Sequence, residues 1–154
     1  MYYTVRFAHM AEPPEYAKGD RIKRGDIVGI MGNTGLSTGA HLHIDVVEGW
    51  HDKPYQLKDI GTSLKPSRKQ LELFIDDELF GIFPVVTTKY LDAEYKVQFG
   101  KDHPAIDCVP SDRQKTNEHF PIHWNRSMNG MVTLVVNQPK GYGHCMYVAF
   151  EVKG

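Results

Sequence analysis

The sequence predicts a single, mostly β domain of sandwich or barrel type. Three observations carry this. Short runs of β-branched and aromatic residues recur along the chain, glycines and prolines punctuate them at close intervals, and no apolar pattern of helical period persists over four turns. At 154 residues the chain has the length of one ordinary domain and can bury a core without disulfides or metals to hold it. Its formal charge of −1 argues against nucleic acid as the main partner. No apolar run reaches the length of a membrane span, and MYYTVRFAHM lacks the basic-then-apolar form of a secretory leader. Cys108 and Cys145 are expected as two buried thiols, with one disulfide as the alternative.

Each element has its own signal. YYTVRFAHM alternates, with Tyr3, Val5 and Phe7 on one face and Tyr2, Thr4 and Arg6 on the other. GDRIKRGDIVGIMGNTG spaces glycines between short β-branched runs, the pattern of tight turns between strands. HLHIDVV is a strand that turns Leu42, Ile44 and Val46 toward a core. Residues 49–83 read as a connector, polar and proline-bearing at first. Its last part, QLELFIDDELFGIF, favours a hairpin: Leu71, Leu73 and Ile75 alternate and Asp76-Asp77 can turn the chain. A helix opened by a Ser67–Gln70 capping box is the alternative. VVTTKY, YKVQF, GMVTLVV and HCMYVAFEV carry the residues that strands favour.

Eight histidines is a high count for this length, and four stand in informative contexts: His9, His41, His43 and His103. His51, His119, His123 and His144 are expected in surface or packing roles. On a strand, His41 and His43 project from one face as two adjacent imidazoles. Alone, such a pair reads as two surface histidines. GKDHPAIDC adds an H-x-x-x-D spacing, His103 and Asp107. Pro104 argues against a helix interior there, so the two converge on a turn entering a strand. Two imidazoles and one carboxylate form a donor set suited to Zn²⁺, and three protein ligands leave an open coordination position. Asp45, on the face of His43, is either a support for a ligand imidazole or an ordinary exposed carboxylate.

RFAHM together with GDRIKRGDIVGIMGNTGLSTGAHLHIDV resembles the C-terminal half of the lysostaphin-type, LytM-like zinc endopeptidases. Gly32, Asn33, Thr34, Gly35, Ser37, Thr38, Gly39, His41, Leu42 and His43 match that family's glycine-rich run and its H-L-H. HPAID resembles the family's other motif, H-x-G-x-D, with Ala105 in place of glycine. PIHWNRSMNGMVTLVV and GYGHCMYVAFE resemble the family's segments C-terminal to H-x-G-x-D. The order is exchanged, because the family carries H-x-x-x-D first and H-x-H last. The resemblance therefore implies a circular permutation: residues 1–48 as the family's C-terminal half, 84–154 as its N-terminal half, and 49–83 as the connector between them. Completion of the site between swapped chains is the alternative.

The resemblance implies an antiparallel β-sandwich of the duplicated hybrid motif type. It implies Zn²⁺ on His43, His103 and Asp107, and His9 and His41 as catalytic histidines. Phe7 stands where the family more often has tyrosine. Tyr90 and Tyr95 precede H-x-x-x-D at a spacing that assigns neither a role. The Asn33–Gly39 loop is a backbone turn that can also flank a substrate groove. The implied substrate is the peptide part of bacterial peptidoglycan, cleaved at the cell wall by a monomer. A phage-lytic or virion-associated module, or one excised from a longer secreted protein, is expected. The competing functions are a non-enzymatic LytM-like regulator of wall hydrolases and a lipoyl- or phosphotransferase-type carrier. No lysine at a hairpin tip marks a carrier.

Overall fold

A computed structural model describes residues 1–37, 39–57, 63–112 and 120–154. Thr38 and His119 lie outside them. Nine strands and two short helices are present among the described residues: β1 (Tyr2–Met10), β2 (Arg21–Ile22), β3 (Ile27–Ile30), β4 (Leu42–Glu48), α1 (Arg68–Glu72), β5 (Pro84–Thr88), α2 (Ala93–Phe99), β6 (Ile106–Pro110), β7 (Pro121–His123), β8 (Gly130–Gln138) and β9 (Gly143–Glu151). The fold is mostly β. A seven-stranded sheet has the order β2-β8-β9-β1-β4-β6-β5, antiparallel at every pairing, and β3 pairs with β7 in a small second sheet.

Alternation along β1 and β4 divides the large sheet into two unlike faces. Val5, Phe7, Leu42, Ile44 and Val46 enter the main core, as the pattern of HLHIDVV predicts. Val28 of β3 and Ile122 of β7 close the same core from the small sheet. The opposite face carries Arg6, Ala8, His43, Asp45 and Tyr147, all buried. The two cysteines are free and buried. Met1 and Val152 exchange two hydrogen bonds, the terminal ammonium donating to the Val152 carbonyl at 3.0 Å. The strands that begin and end the described chain are therefore neighbours.

Two segments differ from the sequence expectation. The hairpin favoured over 70–83 is replaced, at its start, by the helix α1. Ser67 Oγ accepts from the Gln70 amide, Arg68 and Glu72 pair one turn apart at 2.8 Å, and Leu71 and Phe74 face inward together. A hairpin would have split those two side chains between opposite faces. Asp76 does turn the chain, its Oδ1 accepting from the Glu78 amide. The strand read in YKVQF is the helix α2. Asp92 caps it by accepting from the Tyr95 amide, and Gly100 ends it at φ 72°. The caps decide the outcome because no residue of α2 is buried, so no sheet face competes for Tyr95, Val97 and Phe99.

Residues 49–83, expected as a connector, also pack into the domain. They supply Leu71, Phe74, Leu79 and Phe80 to the main core and Tyr55 and Leu64 to a second cluster on the site face. Phe74 sits at the centre of this packing, edge-on to Phe7, Trp124 and Phe150 at ring distances of 5.3–6.0 Å.

Candidate metal centre

Strand register explains how residues 64 positions apart meet. His43 of β4 lies directly opposite Asp107 of β6, and on its other side opposite Ala8 of β1. The small Ala8 side chain leaves space above the sheet for the imidazole. His43 Nδ1 is 3.1 Å from Asp107 Oδ1. His103, on the turn entering β6, brings Nε2 to 3.3 Å from Asp107 Oδ2. Its Nδ1 lies 3.3 Å from the Lys89 carbonyl, and a carbonyl can only accept. Nδ1 is thus engaged by the Lys89 carbonyl, and Nε2 is the ring nitrogen turned inward toward Asp107. One ligand atom from each of His43, His103 and Asp107 lies within 4.8 Å of the others, a spread that one metal ion can bridge.

His9 reaches this site through a distortion that alternation does not foretell. In a regular β1 it would share the core face with Val5 and Phe7. The pairing with β9 instead slips between Phe7 and Met10, and His9 has φ 59°. The bulge sends Met10 into the core and swings His9 to the opposite face. There its ring lies 4.9 Å from that of His41 and 6.0 Å from that of His43. A left-handed backbone is unfavourable for histidine and is held by the surroundings. The His9 amide donates to the Tyr142 carbonyl at 2.8 Å, and its Nδ1 donates to the Thr34 carbonyl at 2.7 Å.

This gives the glycine-rich loop a physical role. Thr34 Oγ1 donates to the Met10 carbonyl and accepts from the His144 amide, lacing the bulge to the start of β9. Gly35 (φ 78°) and Gly143 (φ 64°) allow the two backbones to touch. A Cβ on either would collide with the other segment.

His41 donates from Nδ1 to the Gly39 carbonyl at 2.8 Å, with Ser37 Oγ also near at 3.3 Å. Its Nε2 is 3.9 Å from Asp107 Oδ1. Both His9 and His41 therefore hold a proton on Nδ1 and present Nε2 to the same space. The His41 and Asp107 side chains are 20% and 16% exposed, against 6% and 5% for His43 and His103. The cluster is thus open to solvent on the His41–Asp107 side.

The charges are set by burial and by close partners. Burial pushes the Asp107 carboxyl up, but the hydrogen bonds and charges of His103 and His43 outweigh it and hold Asp107 well below the usual carboxylate range. For His43, burial lowers the pKa, and hydrogen bonds with Asp107 and Asp45 more than reverse it. Burial brings His9 down to about 4; the bond to Thr34 opposes this, and the neighbouring His43 and His41 add to it. His9 is neutral at pH 7.

The structure brings together His9, His41, His43, His103 and Asp107. Asp45 is fully buried and bonded to His43, not an exposed carboxylate. Tyr95 lies against His103 at 4.6 Å, whereas Tyr90 packs near Arg68. Sequence reasoning passed over Arg6, Tyr55 and Tyr142, which underlie the site. Arg6 was detectable, as a cation on the face of Asp45 in a strand that pairs with its strand. Tyr55 and Tyr142 gave no such signal.

Among the described residues, no helix is long and apolar enough to cross a membrane. No solved structure matches the chain. The family model for Peptidase family M23 matches residues 2–56, the segment that carries His9, the glycine-rich loop, His41 and His43; His103 and Asp107 lie beyond it. Over residues 2–56, about a third of its length, the chain is similar to peptidase family M23, the lysostaphin-type and LytM-like peptidases.

Proposed function

We propose that this protein is a zinc endopeptidase that hydrolyses peptide bonds in bacterial peptidoglycan, acting at the cell wall. The observation that carries this is the convergence of a His43–His103–Asp107 donor set with His9 and His41 on its open side, each bonded to a carbonyl through Nδ1. The donor set fits zinc: two imidazoles and a carboxylate, largely buried, a set of three protein ligands of the kind that leaves a fourth tetrahedral position. When bound, zinc supplies Lewis-acid chemistry, acidifying water and polarising the scissile carbonyl.

The protein's own residues do the rest. His43, His103 and Asp107 would hold the ion. His9 and His41 each have Nδ1 tied to a carbonyl and Nε2 left for the reacting groups. Between them they accept the proton of the attacking water and return it to the leaving amine. Once protonated, either can donate to the developing oxyanion. The peptide substrate class rests on the similarity of residues 2–56 to the M23 family, not on the pocket's shape.

We further propose that the two halves stand in circularly permuted order, with residues 1–48 and 84–154 exchanged and 49–83 joining them. The adjacency of β1 and β9 and the paired Met1 and Val152 support it, since the join would restore an ordinary hairpin. A site assembled within one chain favours a monomer over a swapped dimer.

The test is zinc content by elemental analysis together with mass spectrometry of muropeptides released from purified walls. The wild-type chain should carry one zinc and release new peptide ends. Asp107→Ala should lose metal and activity together, whereas a carrier domain would tolerate it. A folded wild-type protein with sub-stoichiometric zinc and no hydrolysis would leave the non-enzymatic regulator as the function.

A further inference from the structure

Beneath His43, on the side away from the metal ligands, lies a buried polar cluster that the proposed chemistry does not use. Register places Arg6 of β1 between Asp45 of β4 and Tyr147 of β9. Arg6 Nε donates to Asp45 Oδ2 at 2.9 Å, and its Nη1 lies 3.0 Å from the Tyr55 carbonyl and 3.2 Å from Tyr147 Oη. Tyr55 Oη donates to Asp45 Oδ1 at 2.8 Å. His43 Nε2 is 2.9 Å from Asp45 Oδ2. The guanidinium also lies 3.9 Å above the Tyr142 ring, which in turn lies 5.0 Å from the His43 ring. Arg6 and Asp45 are wholly buried and Tyr55 is 7% exposed.

Stability alone does not account for such a cluster. A buried ion pair loses much of its attraction to desolvation, and apolar residues of like volume are often as stable or more so. Its position is informative. Both ring nitrogens of His43 meet carboxylates, Nε2 at 2.9 Å from Asp45 and Nδ1 at 3.1 Å from Asp107; Asp45 lies away from the other ligands, so a proton held on Nε2 by Asp45 leaves Nδ1 as the nitrogen for a metal shared with His103 and Asp107. Arg6 balances the carboxylate's charge, Tyr55 fixes its second oxygen, and the Tyr142 ring limits rotation of the imidazole. Tyr55 comes from the connector, so this part of the support lies in the segment that joins the two motif-bearing halves.

We infer that Arg6, Asp45 and Tyr55 are positioning residues that lock the tautomer and orientation of His43 for metal binding, with the connector's Tyr55 completing the lock. This rests on the proposed metal centre.

Two measurements test it. The first is the ¹⁵N shifts of the His43 ring in metal-free protein, followed to the pH at which the ring is neutral. The Nε2–H form is expected in the wild type, and Tyr55→Phe should mix in the other tautomer. The second is zinc affinity by chelator competition. Tyr55→Phe should weaken binding about tenfold and Asp45→Asn about 100-fold. Ser67→Ala, at the α1 cap, should lower the thermal midpoint and leave zinc affinity unchanged, separating orientation from general loosening. An Nδ1–H tautomer in the wild type, or affinities of Tyr55→Phe and folded Asp45→Asn within twofold of wild type, would overturn the inference. A wild-type chain that binds no zinc would remove the metal centre instead, while the tautomer in metal-free protein still decides the network.

Discussion

At the scale of single residues, His9 joins strain to chemistry. Its φ of 59° is a conformation glycine adopts freely and a residue with a Cβ adopts at a cost. The bulge is what gives this imidazole access to His41, and the Thr34 carbonyl then fixes which nitrogen is free. Two variants separate these roles. His9→Ala should retain zinc and lose about 10²–10⁴-fold in kcat, as expected for removal of a proton-transfer group. His9→Gly should be equally inactive but more stable than His9→Ala by about 1–2 kcal/mol, because glycine relieves the left-handed backbone. Urea melts of the two proteins check this. A His9→Gly protein no more stable than His9→Ala would mean the backbone relaxes once the imidazole is gone.

Among the elements, α1 and the loop after it act as a lid on the main core. Phe74 touches Phe7 of β1, Trp124 and Phe150 of β9, and Asn125 Nδ2 donates to the Phe74 carbonyl at 2.8 Å. The chain from 63 to 83 is thereby fastened to the β7–β8 side of the molecule. Truncating Phe74 to Ala should cost about 3–5 kcal/mol, the range for deleting a buried aromatic ring. A passive linker would tolerate the change within about 0.5 kcal/mol. Denaturant melts read the difference directly. The same elements mark the limit of local inference. QLELF carries both a period-two and a helical pattern, and the Ser67 cap together with the inward demand for Leu71 and Phe74 selects the helix. YKVQF is rich in strand formers, yet it lies between the Asp92 and Gly100 caps with no sheet to join.

At the scale of the whole molecule, the antiparallel sheet gathers the site from distant stretches of chain. β1, β4 and β6 lie side by side, so His9, His43 and Asp107 meet across neighbouring strands. If the halves are permuted, the present ends carry no essential structure. A chain rejoined through a short glycine linker from Gly154 to Met1, and reopened after Gly81, should fold with the same near-ultraviolet circular dichroism and bind one zinc per chain. Gly81 is exposed, and α1 and Phe74 stay covalently attached to β4 in that order. Failure of the rejoined chain to fold, with the parent stable under the same conditions, would count against the permuted arrangement.

The sequence by itself determined the mostly β class, the inward set of Leu42, Ile44 and Val46, and the residue types that the candidate site gathers. Alternation is a local property, and H-x-H, H-x-x-x-D and the glycine-rich run are local motifs. Residue types and spacing therefore sufficed for them. Tertiary structure decided what depends on register and on contacts between distant segments. It set His43 against Asp107, flipped His9 through a bulge that regular alternation would forbid, and turned a polar connector into part of the core. It also buried Arg6, Asp45 and Tyr55 together beneath the histidine. The physical reason is common to all four. Each conformation is unfavourable or neutral when taken alone, and becomes favoured only when partners from another part of the chain are already in place.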